Sequence, residues 1–121
     1  MIEDNALIRE SLTDTLHEST EVRVVLWADT EAGGLALLLN AERWQLLIVD
    51  LFLRQGSGLK VVAASANRDP ACKVVVLTNY ATDQIRRQCL KLGADAVFDK
   101  TTELDGLIAY CRGLSSEGPS A

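Results

Sequence analysis

Apolar positions along this chain follow two spacings: stripes recurring every three or four residues, and short unbroken runs. The stripes predict helices. Residues 6–16 place Leu7, Ile8, Leu12 and Leu16 on one helical face, and residues 31–43 do the same with Leu35, Leu38 and Leu39. Residues 59–66 read as a third helix, stopped by Asp69-Pro70. Residues 82–92 read as a fourth, closed by Gly93 just past the end, where a left-handed residue is wanted. Residues 103–112 form the last. The unbroken runs predict strands at residues 22–27, 45–50 (Gln-Leu-Leu-Ile-Val-Asp), 73–78 (Lys-Val-Val-Val-Leu-Thr) and 96–99, with a loop at Gly56-Ser57-Gly58. Strands without polar alternation are buried on both faces. Interleaved with amphipathic helices, they imply a parallel sheet covered on each side.

Composition narrows the class. The 121 residues are 48% apolar, enough for one domain with a real core, and show no repeat, low-complexity tract or linker. Net charge is −5, and no run of Lys or Arg reaches four residues, so a basic nucleic-acid footprint and a polybasic membrane segment are both absent. No apolar stretch approaches the roughly 18 residues of a membrane span. The opening Met1-Ile2-Glu3-Asp4-Asn5 is acidic where a signal peptide would be basic. The three scattered cysteines, Cys72, Cys89 and Cys111, read as reduced, mostly buried thiols of a cytoplasmic protein. One histidine and no paired cysteines exclude a structural zinc site. His17 reads as a solvated residue at a helix C-terminus, and Trp27 and Trp44 as packing residues near strand ends. Gly33-Gly34 lies inside a helix and is not a phosphate loop.

In open parallel sheets, ligands bind at the carboxyl ends of the strands. Asp50, Thr78 and Lys100 each end or directly follow a buried run, and Glu3-Asp4 stands before the first helix, where another strand would end. Each has an ordinary reading: a structural Asp50–Lys100 ion pair, a helix-capping acid pair, a turn-forming threonine, a snorkelling lysine. Together they form a chemical set. Converging carboxylates need a cation, and hard oxygen donors suit Mg2+. An aspartate can attack phosphorus to give an aspartyl-phosphate, and a metal and an ammonium can neutralise the phosphoryl oxygens. A threonine hydroxyl can donate to one of them.

At these residues the chain resembles the receiver domain of two-component response regulators, the CheY-like fold. The carriers are Ile2-Glu3-Asp4-Asn5, Leu47-Ile48-Val49-Asp50-Leu51 with Gly56 and Gly58, Val75-Val76-Leu77-Thr78, and Gly93-Ala94-Asp95 leading to Asp99-Lys100. The resemblance spans residues 3–114, leaving residues 115–121 as a flexible polar tail. It implies a doubly wound α/β fold, a five-stranded parallel sheet in order 2-1-3-4-5 flanked by five helices. It implies that Asp50 accepts phosphate from a histidine kinase or phosphotransfer protein. Mg2+ would be held by Asp4, Glu3, Asp50 and the Phe52 backbone carbonyl. Thr78 and Lys100 would sense the phosphoryl group, and a downstream protein, or a second copy of the chain, would read the change. Such a domain assists its own phosphorylation without being a turnover enzyme.

The chain departs from the family pattern at Thr101, where proline is usual, at Asn79, where a small residue is usual, and at Val97, where the switch aromatic is usual. Tyr80 and Val97 are then the switch-face residues. Two other phosphate chemistries are disfavoured. A haloacid-dehalogenase-type phosphatase needs a second acid where Phe52 stands, and a flavodoxin-like flavin binder needs a hydroxyl-rich first loop in place of an acidic one. The remaining alternative is a receiver-like docking module that is never phosphorylated. Only Met1-Ile2 precede the acid pair, against the five or so residues of an ordinary strand. The first strand is therefore expected to be truncated to about two residues, with Met1 not the natural start or with a dimer shielding the gap.

Overall fold

A computed structural model of the chain describes residues 1–24, 26–40 and 44–117. Five helices and three strands follow one another in it, alternating from α2 onward: α1 (Ala6–Ser19), α2 (Glu31–Asn40), β1 (Leu46–Val49), α3 (Gly58–Ala64), β2 (Lys73–Thr78), α4 (Asp83–Lys91), β3 (Ala96–Asp99) and α5 (Leu104–Glu117). Short polar side chains start four of the helices by accepting otherwise orphaned backbone N–H groups. Asn5 accepts from Ile8 N at 3.1 Å, Thr30 from Gly33 N at 3.0 Å, Ser57 from Leu59 N at 3.1 Å and Thr82 from Ile85 N at 3.2 Å. Gly93, at φ +111°, ends the turn after α4 in the left-handed region expected of it. The last helix runs to Glu117, beyond the predicted end at Arg112. Residues 41–43, the predicted end of the second helix, and 118–121 lie outside the described residues.

The strands pair in parallel in the order β1-β2-β3, with Val49 opposite Val76 and Thr78 opposite Asp99. Five strands are expected, and three are present among the described residues. Beside β1, one residue takes the place of a strand. Ile2 forms single parallel bridges to Val49 on one side and Ala28 on the other. Its N–H donates to Ile48 O at 2.7 Å and its carbonyl accepts from Asp50 N at 2.9 Å. Met1 O and Glu3 N close the other side, with Ala28 N at 3.0 Å and Ala28 O at 3.0 Å. The predicted strand at residues 22–27 is corrected accordingly. Val25 lies outside the described residues, its described neighbours form no strand, and the pairing falls on Ala28. The reason is geometric: the N–H and carbonyl of Ile2 are taken by the β1 side, so only Met1 O and Glu3 N face outward, and both meet the one residue Ala28. The Met1 amine donates to Leu26 O at 3.0 Å, and burial lowers its pKa to about 6.

Successive residues of β2 point to opposite faces. Val74 and Val76 join Ile2, Val49, Val61, Val62, Cys89 and Val97 in one core, while Val75 and Leu77 join Leu12, Leu16, Ile48, Leu107 and Cys111 in the other. Two predicted core residues belong elsewhere. Leu7 is 77% exposed and Leu39 86%. Each sits one residue, about 100° of helical rotation, from the neighbour that does pack, Ile8 and Leu38. His17 is half-buried rather than solvated, and its Nε2 accepts from Val24 N at 2.9 Å. Trp44 packs on the core, but Trp27 is largely exposed, with the Arg9 guanidinium 3.8 Å from its ring centre. The three cysteines are free, Cys89 and Cys111 buried and Cys72 partly so. No helix among the described residues is long and apolar enough to cross a membrane.

Ile2 is almost fully buried and carries both pairings, so its side chain anchors the segment that leads into the acid pair. Replacing it with alanine is expected to cost about 2–5 kcal/mol of stability, read as a lower midpoint in denaturant unfolding. A loss below about 0.5 kcal/mol, the range of a surface change, would show that the segment is not anchored there.

Candidate functional site

Parallel pairing brings the polar residues at the strand ends to one edge of the sheet. Asp50 follows β1, Thr78 ends β2 and Lys100 follows β3. Because Thr78 pairs with Asp99, Lys100 emerges one step beyond, and its N–H donates to Thr78 O at 2.9 Å. On the other flank, the Ile2–Val49 bridge places Glu3 beside Asp50.

The charges then meet with little water between them. Lys100 Nζ donates to Asp50 Oδ2 at 2.8 Å and also to Glu3 Oε1, and all three side chains are nearly buried. Burial raises the Glu3 pKa above its ordinary value, and the hydrogen bonds from Lys100 and the Asn5 N–H only partly oppose that. For Lys100, burial alone would lower the pKa, but hydrogen bonds and charge from Asp50 and Glu3 outweigh it and raise the value. The other Asp50 oxygen, Oδ1, accepts from Phe52 N at 3.2 Å. Asp4 is more open, and its Oδ2 accepts from Arg54 N at 2.7 Å. Thr78 is fully buried, its Oγ1 accepting from Tyr80 N at 3.2 Å.

One carboxylate oxygen from each of Glu3, Asp4 and Asp50 lies within 4.8 Å of the others. Three hard oxygen donors so close, with a single lysine between two of them, form a donor set that fits a divalent cation. The loop after β1 closes tightly around this group. At Gly58 an added Cβ would stand 2.0 Å from the Asp50 carbonyl oxygen, so only glycine lets α3 begin there.

The two switch-face residues part company. Tyr80 is 60% exposed and meets Phe52, itself 50% exposed, edge to face at 4.9 Å between ring centres. Val97 is buried in the core; its backbone carbonyl accepts from Arg86 Nη1 at 3.2 Å. Phe98, on the opposite sheet face, packs on Tyr110 with centroids 6.0 Å apart. The structure adds residues that sequence reasoning passed over. Arg9 Nη1 donates to Glu3 O at 2.8 Å, Arg54 N holds Asp4, and Arg86 pairs with Glu103. Of these only Arg9 left a trace, a cation five residues after the acid pair. The others depend on folding, being remote in sequence or acting through a backbone N–H.

The response regulator receiver domain family model matches residues 1–112. A probable transcriptional regulatory protein of Picosynechococcus is 31% identical over 94% of this chain and 47% of its own length. The photosynthetic apparatus regulatory protein RegA of Rhodobacter capsulatus is 31% identical over 66% of this chain and 43% of its own length. The chain therefore spans less than half of each of these two relatives. Among solved structures, a response regulator from Burkholderia pseudomallei with a phosphorylated aspartic acid, calcium ion and citrate superposes with TM-score 0.77. That match has 29% identity over 96% of this chain and 66% of that one. A CheY-like receiver domain protein from Methanospirillum hungatei gives TM-score 0.75 and 27% identity over 97% and 94% of the two chains. With the acid pair, the strand-end aspartate and threonine, and the lysine gathered at one sheet edge, this chain belongs to the response regulator receiver domains of two-component systems.

Proposed function

We propose that this chain is a phosphorylation-controlled signalling switch in which Asp50 accepts a phosphoryl group from a histidine kinase or phosphotransfer protein, with Mg2+. The observation that carries this reading is the gathering of Lys100, Glu3 and Asp4 around Asp50 at the strand ends. The phosphorylated aspartic acid and calcium ion of the Burkholderia neighbour support it by similarity. Receiver domains are signalling domains rather than turnover enzymes, and the role proposed here is of that kind.

Asp50 would attack with a carboxylate oxygen. A P–O bond forms as the P–N bond of the donor phosphohistidine breaks, and the electron pair leaves with the imidazole nitrogen. Lys100 already sits on Asp50 Oδ2, so its charge is in place when the phosphoryl oxygens arrive and needs no rearrangement. Thr78 Oγ1 accepts from the Tyr80 N–H and keeps its own proton to donate to a phosphoryl oxygen. Glu3, Asp4, Asp50 and the Phe52 carbonyl would hold Mg2+, which when bound supplies positive charge against the phosphoryl oxygens. We read the two bridges of Ile2 as the remnant of a central first strand in a 2-1-3-4-5 order, which sets the acid pair beside Asp50. The functional unit is residues 1–114, acting in the cytoplasm on a downstream protein or through a phosphorylation-dependent homodimer. With Val97 in the core, Thr78 and residues 80–83 carry the activation shift to that partner.

Incubation with acetyl phosphate and Mg2+ is expected to add one phosphoryl group by mass spectrometry. None should add without Mg2+ or in Asp50→Asn. A wild-type protein left unmodified with Mg2+ present would favour the docking-module reading.

The Phe52–Tyr80 ring contact joins the loops after β1 and β2, and neither ring can orient water as an acid or amide does. Slow loss of the phosphoryl group is therefore expected. Replacing Phe52 with Asn and Tyr80 with Glu should speed the loss about tenfold, equivalent to about 1.4 kcal/mol of barrier. An unchanged half-life in the double variant would exclude shielding as the cause.

A further inference from the structure

Residues 50–57, between β1 and α3, carry Asp50 and the Phe52 carbonyl, and they are held from outside by two acids. Asp4 is one, through Arg54 N. Glu31, the first residue of α2, is the other, and it grips the loop twice. Its backbone N–H donates to Gln55 O at 3.0 Å, and its Oε1 accepts from Ser57 N at 2.8 Å. Gly56 between them lies directly on the Glu31 side chain: an added Cβ would be 2.3 Å from Glu31 Cβ and 2.8 Å from Oε1. Gly56 also has φ +90°, so the loop adopts a backbone that favours glycine in order to seat there.

The grip reaches the site through one more pairing. Ser57 forms an antiparallel bridge with Phe52, and the Phe52 N–H donates to Asp50 Oδ1 at 3.2 Å. Fixing Ser57 therefore fixes Phe52 and the peptide beside the phosphoacceptor. The two anchors differ in kind. Asp4 would share its carboxylate with any cation at the site, whereas Glu31 is not among the clustered oxygens and stays on the loop whether or not a cation is bound.

We infer that Glu31 is a positioning residue that sets the Phe52 carbonyl for the divalent cation. The inference rests on the metal reading given under the proposed function. Hydrogen-bonded partners behind metal ligands typically change metal affinity tenfold to a hundredfold when removed. The test is calorimetric titration of Mg2+ alone into the wild type, Glu31→Ala, Glu31→Asp and Glu31→Gln, without phosphodonor, each variant checked by thermal melting. Glu31→Gln loses the charge but keeps a carbonyl oxygen able to accept from Ser57 N; Glu31→Asp keeps the charge but is one methylene too short. Positioning predicts Mg2+ binding weakened about tenfold or more in Glu31→Ala and Glu31→Asp, with Glu31→Gln close to wild type. If Glu31→Ala does not fold, the Asp and Gln variants still carry the comparison. Wild-type affinity in Glu31→Asp, or a Gln variant as weak as the others, would overturn the inference and leave the metal site standing. A wild type that takes up no Mg2+ would overturn the metal reading itself, and this inference with it.

Discussion

Two carboxylates nearly cut off from water share one ammonium at the centre of this molecule. Glu3 and Asp50 both receive hydrogen bonds from Lys100, and their neighbours in chain and space are arranged to make that possible. A buried carboxylate without a partner costs several kcal/mol, so Lys100 cannot leave unless another cation takes over its role. The oxygens of Glu3, Asp4 and Asp50 also lie close enough together to suit a divalent ion. Asp4, the most open of the three acids, is the one with room to change partners.

Holding that arrangement falls to short stretches of backbone. Ile2 pairs on both sides, and its two neighbours along the chain complete the contact with Ala28. On the far side, the pairing of Thr78 with Asp99 sets where Lys100 emerges. A slip of one residue in either pairing would turn a charged side chain from the sheet edge into a core, because side chains alternate along a strand. The two apolar layers enforce the register, since Val74 and Val76 fill one and Val75 and Leu77 the other.

The face beyond the site has its own connection. Arg86 donates to Ala81 O at 2.9 Å and Val97 O at 3.2 Å and pairs with Glu103, whose Oε1 also accepts from Asp99 N at 3.0 Å. One side chain thereby touches the loop after Thr78, the middle of β3 and the start of α5. Glu103 is held below its ordinary pKa by Arg86 and the Asp99 N–H. An exposed pair of this kind contributes little stability. Its interest is geometric, because the segments it joins leave Thr78 and Lys100.

The periodicity of the chain determined most of the architecture. The bounds of β2 and β3 match their predicted runs, and the helices differ chiefly at their ends. Asp50, Thr78 and Lys100 were legible for the same reason, since a buried apolar run that stops at a polar group marks the edge of a sheet, whereas Glu3-Asp4 were legible from their place before the first helix. Leu7 and Leu39 were misread because apolar identity alone cannot separate adjacent residues on a helix, where 100° decides between core and water. The Phe52–Tyr80 contact, the Glu31 anchor and the Arg86–Glu103 pair join residues 17 to 28 positions apart along the chain, and the Arg54 N–H reaches Asp4 across 50. None of these follows a local period. Composition and spacing determined which groups stand at the edge of the sheet; only tertiary packing decided which distant partner each one meets, because a hydrogen bond depends on distance in space rather than on separation along the chain.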